Sequence, residues 1–172
     1  MGLITALAIS IGILGGIATY LFLADPFGLG LQIWAAFIGW ASFYHCGGKS
    51  EGFVSSVLAN LWGVVWATLT LLAFSRIGLA DALTAPVWAG VCVAIGVGVM
   101  ILGSNIPIFS AIPATVYGYA ATAALALLTT GGVDNLTMPT MENPAVVVAL
   151  SMVVGAIFGI ISEWLAGSLA SS

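Results

Sequence analysis

From Phe53 to Phe74 no side chain carries a charge, and the same holds for Leu3–Ala24, Pro86–Leu102, Ile106–Leu128 and Pro144–Ser162. Five apolar runs of this length cannot all be hidden in the water-soluble core of a chain of 172 residues. Their solvent is lipid. The whole chain agrees, with 62% hydrophobic residues, 5% charged residues and a mean hydropathy of +1.23. The runs are continuous and lack the alternation of a membrane barrel, so the fold class is an all-α membrane protein. At about 20 apolar residues per crossing, the length predicts a single domain built as a six-transmembrane-helix bundle.

The expected helices are Leu3–Leu23, Leu31–Tyr44, Phe53–Phe74, Pro86–Leu102, Ile106–Leu128 and Pro144–Leu169. The apolar run at the N-terminus is long for the core of a signal peptide and reads as a retained first helix. Asp25-Pro-Phe-Gly28 ends that helix, because proline cannot continue it and glycine frees the backbone. A tight polar turn, Gly47–Gly52, joins the second and third helices. Pro113, inside the fifth run, should kink it or divide off a short entry segment. The longest polar segment is Thr129–Asn143. Six crossings place both termini on one side. One basic side chain falls on each side, and the N-terminal amine tips the balance toward cytoplasmic termini.

Six acids against two bases give a net charge of −4. That excludes a nucleic-acid surface and a polybasic headgroup site, both of which need clustered Lys and Arg. Cys46 and Cys92 supply neither a disulfide framework nor zinc-ligand spacing and read as small packing residues. No cofactor and no metal site is expected, because no acid, His or Cys constellation has the spacing to hold one. No paired carboxylates or nucleophile–base set stands out either, so an enzyme is not expected.

Small residues recur at every fourth position. Ser55, Ala59, Gly63 and Ala67 form one smooth stripe on the third helix, and Gly12/Gly16 and Gly155/Gly159 do the same on the first and sixth. In lipid, close backbone approach through such residues supplies the packing that hydrophobicity cannot. Packing within the bundle is the favoured reading, and the same stripe on the third helix could also join subunits of a homo-oligomer. The segments also suggest an internal repeat, residues 1–75 against 85–172. Trp34–Gly39 aligns with Phe109–Ala114, and Ala59-xxx-Gly63-xxx-Ala67 with Ser151-xxx-Gly155-xxx-Gly159. Three intervening helices would make such repeats inverted, the plan of many transporters and channels. Shared composition alone is the competing explanation.

The candidate functional residues are polar groups in or beside the runs. Asn60 lies two turns into the third helix, where an amide must face protein or water. It either fixes helix packing or lines a solute path. Tyr44 and His45 close the second helix, as a belt residue and an interfacial or gating histidine. Asn105 precedes Pro107 at a break in the backbone. Tyr117 and Tyr119 point to different faces of the fifth helix. Glu163, near the end of the last helix, either snorkels to the headgroups or serves as a proton site.

Two resemblances follow from particular segments. Trp34-Ala-Ala-Phe-Ile-Gly39, the Gly-Gly-Lys turn ending at Lys49, and Gly63-Val-Val-Trp-Ala67 resemble the YcdZ-type family of bacterial inner-membrane proteins, a domain of unknown function (number 1097). Gly12-Ile-Leu-Gly-Gly16-Ile17 and the Pro113–Gly118 region resemble it too. The likeness implies an inner-membrane location and no established activity. Val116-Tyr-Gly-Tyr-Ala-Ala-Thr122 is similar to a Gly-Tyr-Asn-Ala-Thr segment of urea transporters, with Ala120 in place of the Asn. Small polar groups without charge at mid-membrane lead to the expectation of a passive channel or facilitator for a small neutral solute (urea, ammonia or a short amide), and the second resemblance is what ranks a urea-like solute first. The alternatives are a non-conducting scaffold or accessory subunit and a secondary transporter coupled through Glu163.

Overall fold

A computed structural model describes residues 1–170, and no strand occurs among the described residues. The first helix, α1 (Leu3–Ala24), stops at Asp25, whose backbone turns left-handed. The Asp25 carboxylate then accepts the Leu29 and Gly30 N–H groups at 2.8 and 3.0 Å. This folds the connection back, and α2 (Ile33–His45) begins. The Gln32 N–H at its entrance donates to Ser151 Oγ at 2.9 Å, so a side chain of the last helix satisfies a backbone group that helix geometry leaves free.

The turn after α2 is shorter than the sequence suggests. α3 (Lys49–Arg76) already includes Lys49, Ser50, Glu51 and Gly52. Gly47 and Gly48 supply the positive φ that reverses the chain within so few residues. A single turn, α4 (Ala80–Leu83), leads into α5 (Ala85–Leu102). Two 3₁₀ turns, Gly103–Asn105 and Pro107–Phe109, precede α6 (Ile112–Leu128). Of the two expectations for Pro113 the division holds and the kink does not: a short 3₁₀ entry, Pro107–Phe109, is set off, and Pro113 lies in the first turn of α6, where its missing N–H costs nothing. The polar segment that follows carries one further turn, α7 (Gly132–Asn135), before α8 (Pro144–Leu169).

Helices α1, α3 and α8, and the stretch Ala85–Asn105, are long and apolar enough to cross a membrane. They mark the chain as a membrane protein. α6, with 17 residues, is apolar but shorter, and α2 has 13. At 1.5 Å per residue α2 spans about 20 Å, against about 30 Å of hydrocarbon.

Four helices make the interior. α3 packs most extensively on α6, and α2 on α8. Within each pair the helices run in the same direction. Trp62 stacks on Phe109, while Leu71, further along α3, meets Ala126. On the other pair Gln32 meets Ser151 and Tyr44 meets Ser162. α5 lies against α3 and α1 against α8 on the outside. The backbones touch at glycines. A Cβ on Gly63 would run into the Thr115 carbonyl oxygen, and one on Gly118 into that of Asn60. A Cβ on Gly155 would strike the Ala36 carbonyl, and one on Gly39 that of Met152. Gly159 packs against the Phe43 ring, and Ala59 is wholly buried.

Gly12 and Gly16 do not share this role. Both are exposed, and a Cβ at either would have nothing within 4 Å, whereas one on Gly15 would meet Phe37 at 3.5 Å. The reason is phase: α1 touches the bundle along Ala6, Ser10, Gly15 and Ala18, which puts Gly12 and Gly16 on its outer side.

Candidate functional site

The buried polar residues of α2 and α3 converge. Ser42 and Ser56 are fully buried and Asn60 is 2% exposed. Ser42 lies on the buried side of α2 with Ala35 and Gly39; Ser56 and Asn60 are one turn apart on α3 and so share a face. Asn60 Nδ2 donates to Ser42 Oγ at 3.0 Å and to Ser56 Oγ at 3.2 Å. Ser56 Oγ donates to Ser42 Oγ at 2.9 Å. Asn60 Oδ1 is buried and has no partner among the described residues; Trp66 Nε1 and Ser104 Oγ share that condition.

A second set of contacts lies toward the α2–α3 turn. Ser162 Oγ gives its hydrogen to the Gly159 carbonyl at 2.8 Å. It therefore receives those of Trp40 Nε1 at 2.9 Å and Tyr44 Oη at 2.7 Å. His45, exposed at the end of α2, has Nδ1 3.1 Å from Tyr117 Oη. The body of Tyr117 packs on the apolar cluster Ala35, Val64, Ala121, Val148 and Met152. Its side chain thus links the apolar cluster to the exposed His45. Burial pushes the thiol of Cys46, in the turn itself, above its usual range, partly offset by hydrogen bonding to Ser55 and Ser42.

Glu163 is half-buried at the same end. Its Oε2 accepts the Lys49 N–H at 2.8 Å. It caps α3 from another helix, at the end where unpaired N–H groups and the helix dipole favour an anion. Gly48 is part of the arrangement, because a Cβ there would meet Glu163 Cδ at 3.1 Å.

Other expected residues lie apart. Asn105 is exposed in the turn before α6, and its Nδ2 donates to the Leu102 carbonyl at 2.8 Å. Tyr119 faces α5 and lines a cavity of about 280 Å³ with Thr70, Cys92 and Ala123. The structure therefore gathers Asn60 with Ser42 and Ser56, and separately Tyr44, His45, Tyr117 and Glu163 around the α2–α3 turn. Ser42, Ser56 and Ser162 escape a reading of the sequence because serine is common in membrane helices; the one available signal is that Ser56 and Asn60 stand four apart. Asn143 gives no signal either, as one polar residue in a polar loop. It is buried, its Oδ1 accepts the Ala145 N–H at 2.8 Å, and its Nδ2 holds the Leu136 and Met138 carbonyls.

The arrangement offers hydrogen bonds and no charge to a buried guest. Among the described residues no three His, Cys, Asp or Glu side chains gather where a metal could sit. Comparison with curated proteins and with solved structures returns no significant match. The model of one family of proteins of unknown function, DUF1097, matches residues 8–167. The chain belongs to that family.

Proposed function

We propose that this protein is a passive facilitator for small neutral solutes, with six crossings arranged as two inverted three-helix halves, residues 1–75 and 85–172. The observation that carries the function is the buried, uncharged Ser42–Ser56–Asn60 cluster with an unpaired amide oxygen. A neutral guest can exchange hydrogen bonds there, while an ion would find too few groups to replace its water.

The inverted halves are supported by the glycine contacts. Placing α3 on α8 pairs Asn60 with Met152 and Gly63 with Gly155. Placing α2 on α6 pairs Ala36 with Thr115 and Gly39 with Gly118. The Gly63–Thr115 and Gly118–Asn60 contacts then become Gly155–Ala36 and Gly39–Met152. One register per helix accounts for all four. It keeps the sequence alignment of Gly63 with Gly155 and moves the other by one turn, Gly39 falling on Gly118 instead of Ala114. The outer contacts agree, α5 on α3 corresponding to α1 on α8. The same reading puts the protein in the bacterial inner membrane with both termini cytoplasmic, and leaves the outward Gly12/Gly16 face of α1 for self-association.

A second reading, a non-conducting scaffold or accessory subunit, is favoured by one observation. Five cavities of about 240 to 430 Å³ are lined by other residues and not by Asn60. Nothing comparable favours proton coupling through Glu163, whose carboxylate caps α3. Stopped-flow flux of urea, ammonia, formate and water into proteoliposomes separates the readings. Neutral-solute flux that falls in Asn60→Leu supports the facilitator. No flux of any solute above empty liposomes refutes it.

A further inference from the structure

We propose that the Ser42–Ser56–Asn60 cluster binds one molecule with a single heavy atom and a hydrogen to donate, ammonia or water, and rejects solutes the size of urea. This rests on the facilitator reading and narrows its substrate class.

The hydrogen-bond inventory sets the chemistry. An amide nitrogen has two hydrogens, and Asn60 gives them to Ser42 and Ser56. The Ser56 hydrogen goes to Ser42, whose oxygen accepts both neighbours. What remains on Asn60 is an acceptor, Oδ1, closed off from bulk water at a residue 2% exposed. An orphaned buried acceptor costs on the order of 1–3 kcal/mol, which a small hydrogen donor would remove.

Packing does not demand these polar residues. In the register given by the glycine contacts, Ser42 corresponds to Ala121, Ser56 to Val148 and Asn60 to Met152. Those three are buried together in the apolar cluster with Ala35 and Val64. The same helix geometry is thus filled by hydrocarbon in one half and by an incompletely paired polar set in the other. A set that is dispensable for packing and leaves a buried acceptor without a protein partner fits a ligand site.

Size follows from the surroundings. Five cavities of about 240 to 430 Å³ lie elsewhere and are lined by none of Ser42, Ser56 and Asn60. A site for one water needs only about 10–15 Å³ of probe-sized space. The Gly118 backbone lies directly against the Asn60 backbone, so α3 and α6 are in contact at this level.

The test uses the full chain in liposomes and three stopped-flow readouts: internal pH for ammonia, light scattering for water, and an osmotic gradient of urea. Two variants are compared, Asn60→Leu and the transplant Ser42→Ala/Ser56→Val/Asn60→Met, which installs the residues of the other half. Ammonia or water flux above empty liposomes, without urea flux, is expected, and the two assays say which of them passes. Loss of the anchoring hydrogen bond should lower that flux roughly five- to tenfold in both variants. The transplant should unfold at the same denaturant concentration as wild type or higher. Urea flux that Asn60→Leu abolishes overturns the size limit and leaves the facilitator standing. Absence of all flux overturns both. A transplant that unfolds earlier, or retains full flux, shows the cluster to be structural. Should Asn60→Leu fail to fold, Ser56→Ala, which removes one partner only, takes its place with the same expected direction.

Discussion

Replacing Gly63 by alanine adds one methyl group at a place where the α6 backbone already stands. The Thr115 carbonyl oxygen occupies the position of the new Cβ, with the Tyr119 nitrogen 2.6 Å away. Neither is the end of a flexible side chain, so relief requires α3 and α6 to move apart. Overpacking a well-packed interior costs about 1–3 kcal/mol, and the upper part of that range applies when backbone must yield. Gly155→Ala, against the Ala36 carbonyl, should cost a similar amount. Gly12→Ala and Gly16→Ala meet open space inside a helix and should leave stability unchanged or raise it by up to about 1 kcal/mol. Unfolding of the purified protein by denaturant in detergent micelles, followed by tryptophan fluorescence, reads these differences directly. Because Gly63 and Gly118 set the spacing of the same helix pair, Gly63→Ala and Gly118→Ala together should cost less than their sum. Gly63→Ala with Gly155→Ala should add, since they act on different pairs. Equal stability of Gly63→Ala and Gly12→Ala would refute the reasoning.

Three further outcomes are expected. Glu163→Gln keeps the hydrogen bond to the Lys49 N–H but loses the charge at the α3 terminus, and should cost about 0.3–1 kcal/mol; Glu163→Ala should cost more, and equal losses in thermal melts would deny the cap. Asn143→Ala removes the α8 cap and frees two carbonyls, for a loss of about 2 kcal/mol, with faster amide exchange at Ala145 as the local signature. Because the Cys46 thiol is pushed up, its thiolate is scarcer at neutral pH than that of a free cysteine. Maleimide labelling should be slow at pH 7 and accelerate as pH rises past the usual thiol range; labelling at pH 7 as fast as that of a small free thiol would count against a half-buried, hydrogen-bonded Cys46.

Hydropathy by itself determined where the helices lie. The bounds of α1, α5 and α8 follow from the apolar runs and from prolines and glycines at their ends, because in lipid every backbone group must be satisfied within its own segment. Spacing also marked Gly63 and Gly155 as contact points, since a four-residue period stays on one face whatever that face meets. Which face each helix turns inward was beyond this reading. With apolar residues all round, α1 gives no sign that Gly15 faces Phe37 while Gly12 and Gly16 face outward; that depends on the partner helix. Likewise the sequence shows Asn60 as a polar residue among apolar ones, but not its company. Ser42 stands on another helix and Ser56 resembles any other membrane serine, so the cluster, and the acceptor left open within it, exists only once α2 and α3 are folded against each other.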